Sequence, residues 1–246
     1  MDVSSSQANE SFDIVSINWD EFNLSRFDCV VHLAAKISVK ESFELSEEYH
    51  HVNVDSTRRL FESCVNQGVN KVIFASSAAV YGDSESQLKT VGNEGTPDSP
   101  YAENKLEGER ISRELSCSET RFACLRFFNV YGPGQSAESQ YSAVIPLFFK
   151  LLSGGNEITI HGDGSQTRDF VHVRDVCNSI ISVSETSLIS PSTIATLSAE
   201  APTIRSISAV SICAGLGLII KFPSTLATLT SDIGPSKGIS ETASAA

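Results

Sequence analysis

An α/β fold built on a buried parallel sheet is what this sequence predicts, and three observations carry the prediction. Short apolar runs at Cys29–Ala35, Lys71–Ser76 and Phe122–Phe128 are compact and partly β-branched. They lack the alternation of a half-exposed strand and read as strands buried on both faces, which is the pattern of a parallel sheet. Longer amphipathic stretches separate them, and Gly, Pro and Ser stand where helices should start and stop.

The elements follow in order. Cys29-Val30-Val31-His32-Leu33-Ala34-Ala35 is the first strand. Val54 to Gln67 carries Leu60, Cys64 and Val65 at helical spacing, and Gly68 sits where a left-handed C-terminal cap belongs. Lys71 to Ser76 then completes one βαβ unit. Ser99 is the expected N-cap of the next helix, with Pro100 in its first turn and Tyr101 to Leu115 as its body. The third strand follows directly. Ser142 to Ser153 reads as a helix ended by Gly154-Gly155, Glu157 to Ile160 as a short strand, and Val173 to Val183 as the last helix. From Ser187 the composition changes: the final 60 residues hold six charged side chains and are crowded with Ser, Thr and Ala. This tail, 187–246, is not expected to form a domain, and its apolar stretch Ile212–Ile220 is too short to span a bilayer.

Composition narrows the function classes. A chain of 246 residues, 41% hydrophobic and 20% charged, can bury a core as one or two domains. Its net charge of −12 opposes nucleic acid and anionic membranes, which are gripped by clustered Lys and Arg. Cys29, Cys64, Cys117, Cys124, Cys177 and Cys213 lack C-x-x-C spacing, so no metal site and no disulfide framework is expected. A reducing cytoplasm is the natural setting. The polar N-terminus shows no apolar signal core, and no membrane role is expected.

The chemistry concentrates in two segments, Ser76-Ser77-Ala78-Ala79-Val80-Tyr81-Gly82 and Tyr101-Ala102-Glu103-Asn104-Lys105. Residues four apart share a helix face, so Lys105 can lie beside Tyr101, while Ser77 leaves the neighbouring strand toward the same crevice. Open α/β sheets bind ligands at the carboxyl ends of their strands, where Ser77 falls. A phenol, an ammonium and a hydroxyl so placed suit removal of a proton from a sugar or alcohol hydroxyl. Elsewhere, His32 reads as an ordinary strand-end histidine, and the following Ala34-Ala35 suits close backbone approach to a cofactor. His50-His51 reads as a solvated or helix-edge pair. Asn53 can simply cap the helix after it. Arg168, a planar fork after a Gly-Asp-Gly turn, is the best phosphate ligand, with a surface ion pair to Asp169 or Asp175 as the alternative.

His32-Leu33-Ala34-Ala35, Asn53, Ser76-Ser77-x-x-Val80-Tyr81-Gly82, Tyr101-x-x-x-Lys105, Arg126-Phe127-Phe128-Asn129-Val130-Tyr131-Gly132-Pro133 and Gly162-Asp163-Gly164-x-x-x-Arg168-Asp169-Phe170-Val171-His172-Val173 occur in one order. Together, over residues 24–186, they resemble the extended short-chain dehydrogenases/reductases, the NAD-dependent epimerase/dehydratase group, and within it UDP-glucose 4-epimerase-like proteins. The resemblance implies a Rossmann-like, doubly wound parallel sheet lacking its first βα unit, with a partial smaller substrate domain. Its boundaries are expected at 1–130 for the NAD-binding part, 131–186 for a partial nucleotide-sugar region, and 187–246 for the atypical tail.

The resemblance also implies roles. Ser77, Tyr101 and Lys105 would be catalytic. Leu33, Ala34, Ala35, Asn53, Ala75, Ser76, Tyr101, Lys105 and Phe128 would line NAD, and Ser77, Tyr101, Asn129 and Arg168 would meet a nucleotide-sugar. The implied reaction is 4-epimerisation of a UDP-sugar of the glucose/galactose type through a 4-keto intermediate, in a cytoplasmic homodimer of galactose and nucleotide-sugar metabolism. Related 4,6-dehydratases and decarboxylases carry an acidic residue shortly after the strand-end Ser or Thr, whereas Ala78 and Ala79 stand here. The family's Gly-rich turn is missing: the 27 residues before Asp28 contain no glycine, so the chain is expected to be truncated at both ends and its dinucleotide site incomplete. A non-catalytic sugar-nucleotide-binding remnant, or another NAD-dependent reductase or dehydratase, is the alternative.

Overall fold

The computed structural model describes residues 12–86, 88–135, 144–160, 162–165, 167–186 and 192–197. Its centre is a four-stranded parallel sheet of β1 (Cys29–His32), β2 (Lys71–Ser77), β3 (Arg121–Phe127) and β6 (Ser192–Leu197), in the order β1-β2-β3-β6. Ser76 of β2 stands opposite Arg126 of β3, and Ser77 opposite Phe127. The strands are parallel, so their carboxyl ends lie along one edge of the sheet. A smaller parallel pair, β4 (Asn129–Tyr131) with β5 (Phe170–His172), lies apart from it.

Both faces of the sheet are covered, as a doubly wound fold requires. On one face Val72 and Phe74 of β2 and Phe122 and Cys124 of β3 pack against Leu60, Phe61 and Cys64 of α3 (Ser56–Asn66) and Ile111 of α4 (Pro100–Leu115). On the other, Ile73, Ala123, Leu125 and Ala195 meet Val183 of α6 (Val173–Glu185). The runs without alternation arise here: in β2, Val72, Ile73 and Phe74 are all buried, pointing alternately to opposite faces.

Local signals act as expected at several ends. The Ser99 hydroxyl accepts from the Ala102 N–H at 3.2 Å and caps α4, with Pro100 at its first position; such a cap contributes about 1 kcal/mol. Gly68, at φ +72°, turns the chain out of α3 in the left-handed conformation that only glycine adopts without strain.

Other expectations are corrected. The first strand ends at His32 rather than Ala35, because the chain from Leu33 is drawn off the ladder into a loop held by Asn53. The helix expected from Val54 is preceded by two short ones, α1 (Val39–Glu44) and α2 (Ser46–His50), and a π turn at His51–Asp55. Glu157–Ile160 makes no strand: its side chains are largely exposed, and among the described residues no strand pairs with it. Of the helix expected over 142–153, α5 covers Val144–Ser153, and the remainder lies outside the described residues. The strand β6 lies within the stretch from Ser187 where no element was anticipated, and it pairs with β3 over six residues. Among the described residues, no helix is long and apolar enough to cross a membrane.

Candidate active site at the strand ends

The site is assembled by two elements that end or begin at the same edge of the sheet. Ser77 is the last residue of β2 and caps a 3-10 turn, Ala78–Tyr81, its hydroxyl accepting from the Ala79 N–H at 3.1 Å. This turn stops the strand and leaves Ser77 at the crevice, near enough to the Tyr101 phenol for its hydroxyl to favour the phenolate. Tyr101 opens α4, and its backbone N–H donates to the Ser42 hydroxyl of α1 at 3.2 Å. Burial pushes the Tyr101 phenol above its ordinary value, and the Ser77 hydroxyl offsets part of this.

One turn further along α4, the Lys105 ammonium lies 5.9 Å from the centroid of the Tyr101 ring and 5.0 Å from that of Phe74. It donates to the Ala75 carbonyl at 2.8 Å, which among the described residues is its one hydrogen bond. Complete burial pulls Lys105 down to about 8. The spacing of the motif therefore brings the three groups together, while the protein's own groups leave the phenol harder to ionise than in water.

Around them the loop after β1 is shaped by Asn53. Its side-chain oxygen accepts from the Lys36 N–H at 2.8 Å, and its amide donates to the Lys36 carbonyl at 2.9 Å. Both halves of the side chain are thus committed to placing Leu33, Ala34 and Ala35 beside the strand ends, and Asn53 does not cap α3. The wide π turn is what aims it inward, as such turns commonly do at functional sites. His32 is a core residue between the Phe61 and Phe74 rings, with Nε2 2.9 Å from the Thr57 hydroxyl.

The remaining expected residues divide. Ala75 serves through its carbonyl, and the Ser76 hydroxyl is turned to Glu109 at 2.5 Å. Phe128, half-buried, lies with its ring 6.3 Å from that of Tyr81. Asn129 is exposed and donates to the Asp169 carbonyl at 2.8 Å, tying β4 to the chain entering β5. Arg168 is exposed, its guanidinium on the Thr167 carbonyl at 2.7 Å, and among the described residues it forms no ion pair.

Sequence reasoning missed a buried charged group beneath the site. Arg126 of β3, 2% exposed, binds the Glu109 carboxylate through Nε at 2.8 Å and Nη2 at 2.7 Å, and its Nη1 reaches Glu94. The available signal was an arginine inside an otherwise apolar strand, which burial allows only with a partner.

Comparisons with known proteins agree with this architecture. The model of the NAD dependent epimerase/dehydratase family matches residues 10–192. The chain is 37% identical over 161 residues to a UDP-glucose 4-epimerase of Mycolicibacterium smegmatis, covering 63% of this chain and 50% of the relative. It is 33% identical over 163 residues to a UDP-N-acetyl-alpha-D-glucosaminuronate decarboxylase of Bacillus cytotoxicus, covering 64% and 50%. Among solved structures, the UDP-N-acetylglucosamine 4-epimerase of Methanobrevibacter ruminantium M1, in complex with UDP-N-acetylmuramic acid, superposes with a TM-score of 0.71 at 34% identity, covering 76% of this chain and 59% of that one. The chain spans about half the length of the curated relatives it matches. With a parallel sheet wound on both faces, Ser77, Tyr101 and Lys105 at its strand ends and a family model matched from residue 10 to 192, this chain belongs to the NAD-dependent epimerase/dehydratase family.

Proposed function

We propose that the chain serves NAD-dependent 4-epimerisation of a UDP-sugar of the glucose/galactose type through a 4-keto intermediate. The observation that carries this reading is the meeting of the Ser77 hydroxyl and the Tyr101 phenol at the end of β2, with Ala78 and Ala79 as the next two residues. The hydroxyl pair suits proton transfer at one sugar oxygen. The two alanines leave the turn without the carboxyl group that elimination or decarboxylation would use.

Lys105 and the residues around it fit one end of a dinucleotide. Lys105 holds a buried ammonium on the Ala75 carbonyl of β2 with two further N–H donors, and the small side chains of Ala34 and Ala35 follow the end of β1, the strand paired with β2. When bound, NAD would supply a hydride acceptor for oxidation of the sugar carbon and the hydride for its reduction. Tyr101 removes the proton of the 4-hydroxyl as hydride leaves, and gives it back when the keto group is reduced. Ser77 donates to the same oxygen and holds it within reach. Lys105, its ammonium 5.9 Å from the centroid of the Tyr101 ring, would bind the cofactor's hydroxyls. Arg168 and Asn129, exposed on the second sheet's side, are the groups proposed to meet the nucleotide-sugar.

The test is proton NMR of the protein mixed with NAD and UDP-galactose in D2O. Epimerisation yields UDP-glucose with the original hydrogen retained at C4, because hydride returns without exchanging with solvent. Tyr101→Phe should lower kcat by about 10²–10⁴-fold, the usual weight of a positioned acid–base group. Lys105→Met should weaken NAD binding as well. A 4-keto-6-deoxy product carrying solvent deuterium would replace this reading with dehydration, and absence of any product would refute catalysis by the chain.

A further inference from the structure

The buried charges under the site lie on the elements that carry the reacting pair. Glu109, fully buried, follows Lys105 by four residues and Tyr101 by eight on one face of α4. At 1.5 Å per residue, that puts the carboxylate roughly 6 and roughly 12 Å along the helix from them. It receives both forks of Arg126 and the hydroxyl of Ser76, the residue immediately before Ser77. Arg126 stands opposite Ser76 in the β2–β3 ladder. Its third nitrogen holds Glu94, in the loop between the 3-10 turn and α4, and its guanidinium carbon lies 4.8 Å from the centroid of the Tyr81 ring. The Tyr81 hydroxyl in turn bonds Thr196 of β6.

Four segments that place Ser77 or Tyr101 are thus tied to one guanidinium, directly or through Glu109: β2, the turn after it, the following loop, and α4. Apolar packing is non-directional and sets how closely α4 approaches the sheet, whereas an ion pair adds a directional restraint. A bidentate fork has one geometry. A buried ion pair also seldom adds stability over an apolar replacement, so its retention calls for a positional reason.

We propose that Glu109 and Arg126 are positioning residues, which fix the height of α4 on the sheet so that the Tyr101 phenol meets the Ser77 hydroxyl. The inference rests on Ser77 and Tyr101 as the reacting pair, but the contact between them can be read without turnover.

The protein is labelled at tyrosine with 13Cζ, and the Tyr101 resonance is identified by its loss in Tyr101→Phe. Ser77→Ala moves that resonance by an amount that measures the hydrogen bond. The double variant Glu109→Leu with Arg126→Met removes both fully buried charges together and leaves only the partly exposed Glu94 without its partner. It should keep the native circular dichroism, shift the Tyr101 resonance in the direction of Ser77→Ala by at least half as much, and leave Ser77→Ala with little further effect. Glu109→Gln, of the same shape, should give a smaller shift of the same sign, and decides the matter if the double variant does not fold. An unmoved resonance in a folded variant, with Ser77→Ala still producing its full shift, would overturn the proposal. Where the proposed turnover is observed, kcat should fall at least tenfold with KM nearly constant; its absence in the parent protein would count against the reaction and leave the resonance test intact.

Discussion

His32 shows how burial sets chemistry at a single residue. Thr57 donates its hydroxyl proton to the Asn53 carbonyl at 2.7 Å, so it accepts from His32, whose Nε2 must carry the hydrogen. An imidazolium here would lie between two phenyl rings with the Lys105 ammonium close by. Burial first, and then the Lys105 charge, pull His32 down to about 3 from an ordinary 6.5. Between those values the unfolded chain binds a proton that the native protein refuses. The stabilising contribution is therefore complete above pH 6.5 and is lost as the pH falls toward 3. At pH 5 the loss should be about 2 kcal/mol, from about 1.4 kcal/mol per pKa unit. Urea midpoints at pH 7 and pH 5 should separate strongly in the wild-type protein and much less in His32→Asn. Equal acid loss in the two proteins would show that another group is responsible.

At the scale of the element, α4 depends on a glycine in its middle. A Cβ on Gly108 would stand 2.5 Å from Cζ of Phe74, so the helix approaches β2 there closer than any side chain allows. Alanine would gain about 1 kcal/mol of helix propensity. Phe74 cannot withdraw, because it is packed between Phe61, His32 and the Lys105 ammonium. Overpacking of this kind costs about 1–3 kcal/mol, so Gly108→Ala should be destabilising and lower the thermal midpoint; a raised midpoint would refute the close fit. This helix also shows how far sequence can be read. Its cap at Ser99, its Pro100 and the shared face of Tyr101 and Lys105 are set by neighbours within one or two turns, and all were legible. The bond from Glu109 to Arg126 joins residues 17 apart through a strand register that no local pattern encodes. The same limit explains the misread ends: Ile158 and Ile160 alternate like a strand but find no strand partner among the described residues, whereas Ser192–Leu197, short and preceded by Ser and Pro, becomes a strand because β3 offers it an edge.

Across the whole molecule, the two faces of the sheet are joined at opposite ends of β2. At its carboxyl end stands Ser77, and at its start the Lys71 ammonium donates to the carbonyls of Val183, Ser184 and Thr186 at 3.0, 2.5 and 2.8 Å. Val183 and Ser184 belong to the last turn of α6 and Thr186 is its C-cap, a helix end that a lysine satisfies well. α6 follows β5 of the second sheet and precedes β6 in the chain, and Lys71 ties its end to the start of β2. From β6 the bond of Thr196 to Tyr81 runs back to the turn that displays Ser77. Lys71→Met should accordingly loosen one half of the fold before the other. Hydrogen exchange should quicken in the last turn of α6 and in β6 while the amides of α3 and α4 keep their protection, with a stability loss of about 1–3 kcal/mol for the abandoned carbonyls. If exchange rises evenly through both faces of the sheet, Lys71 contributes only to global stability, and the path from α6 through β6 to the active-site turn is not a separate structural unit.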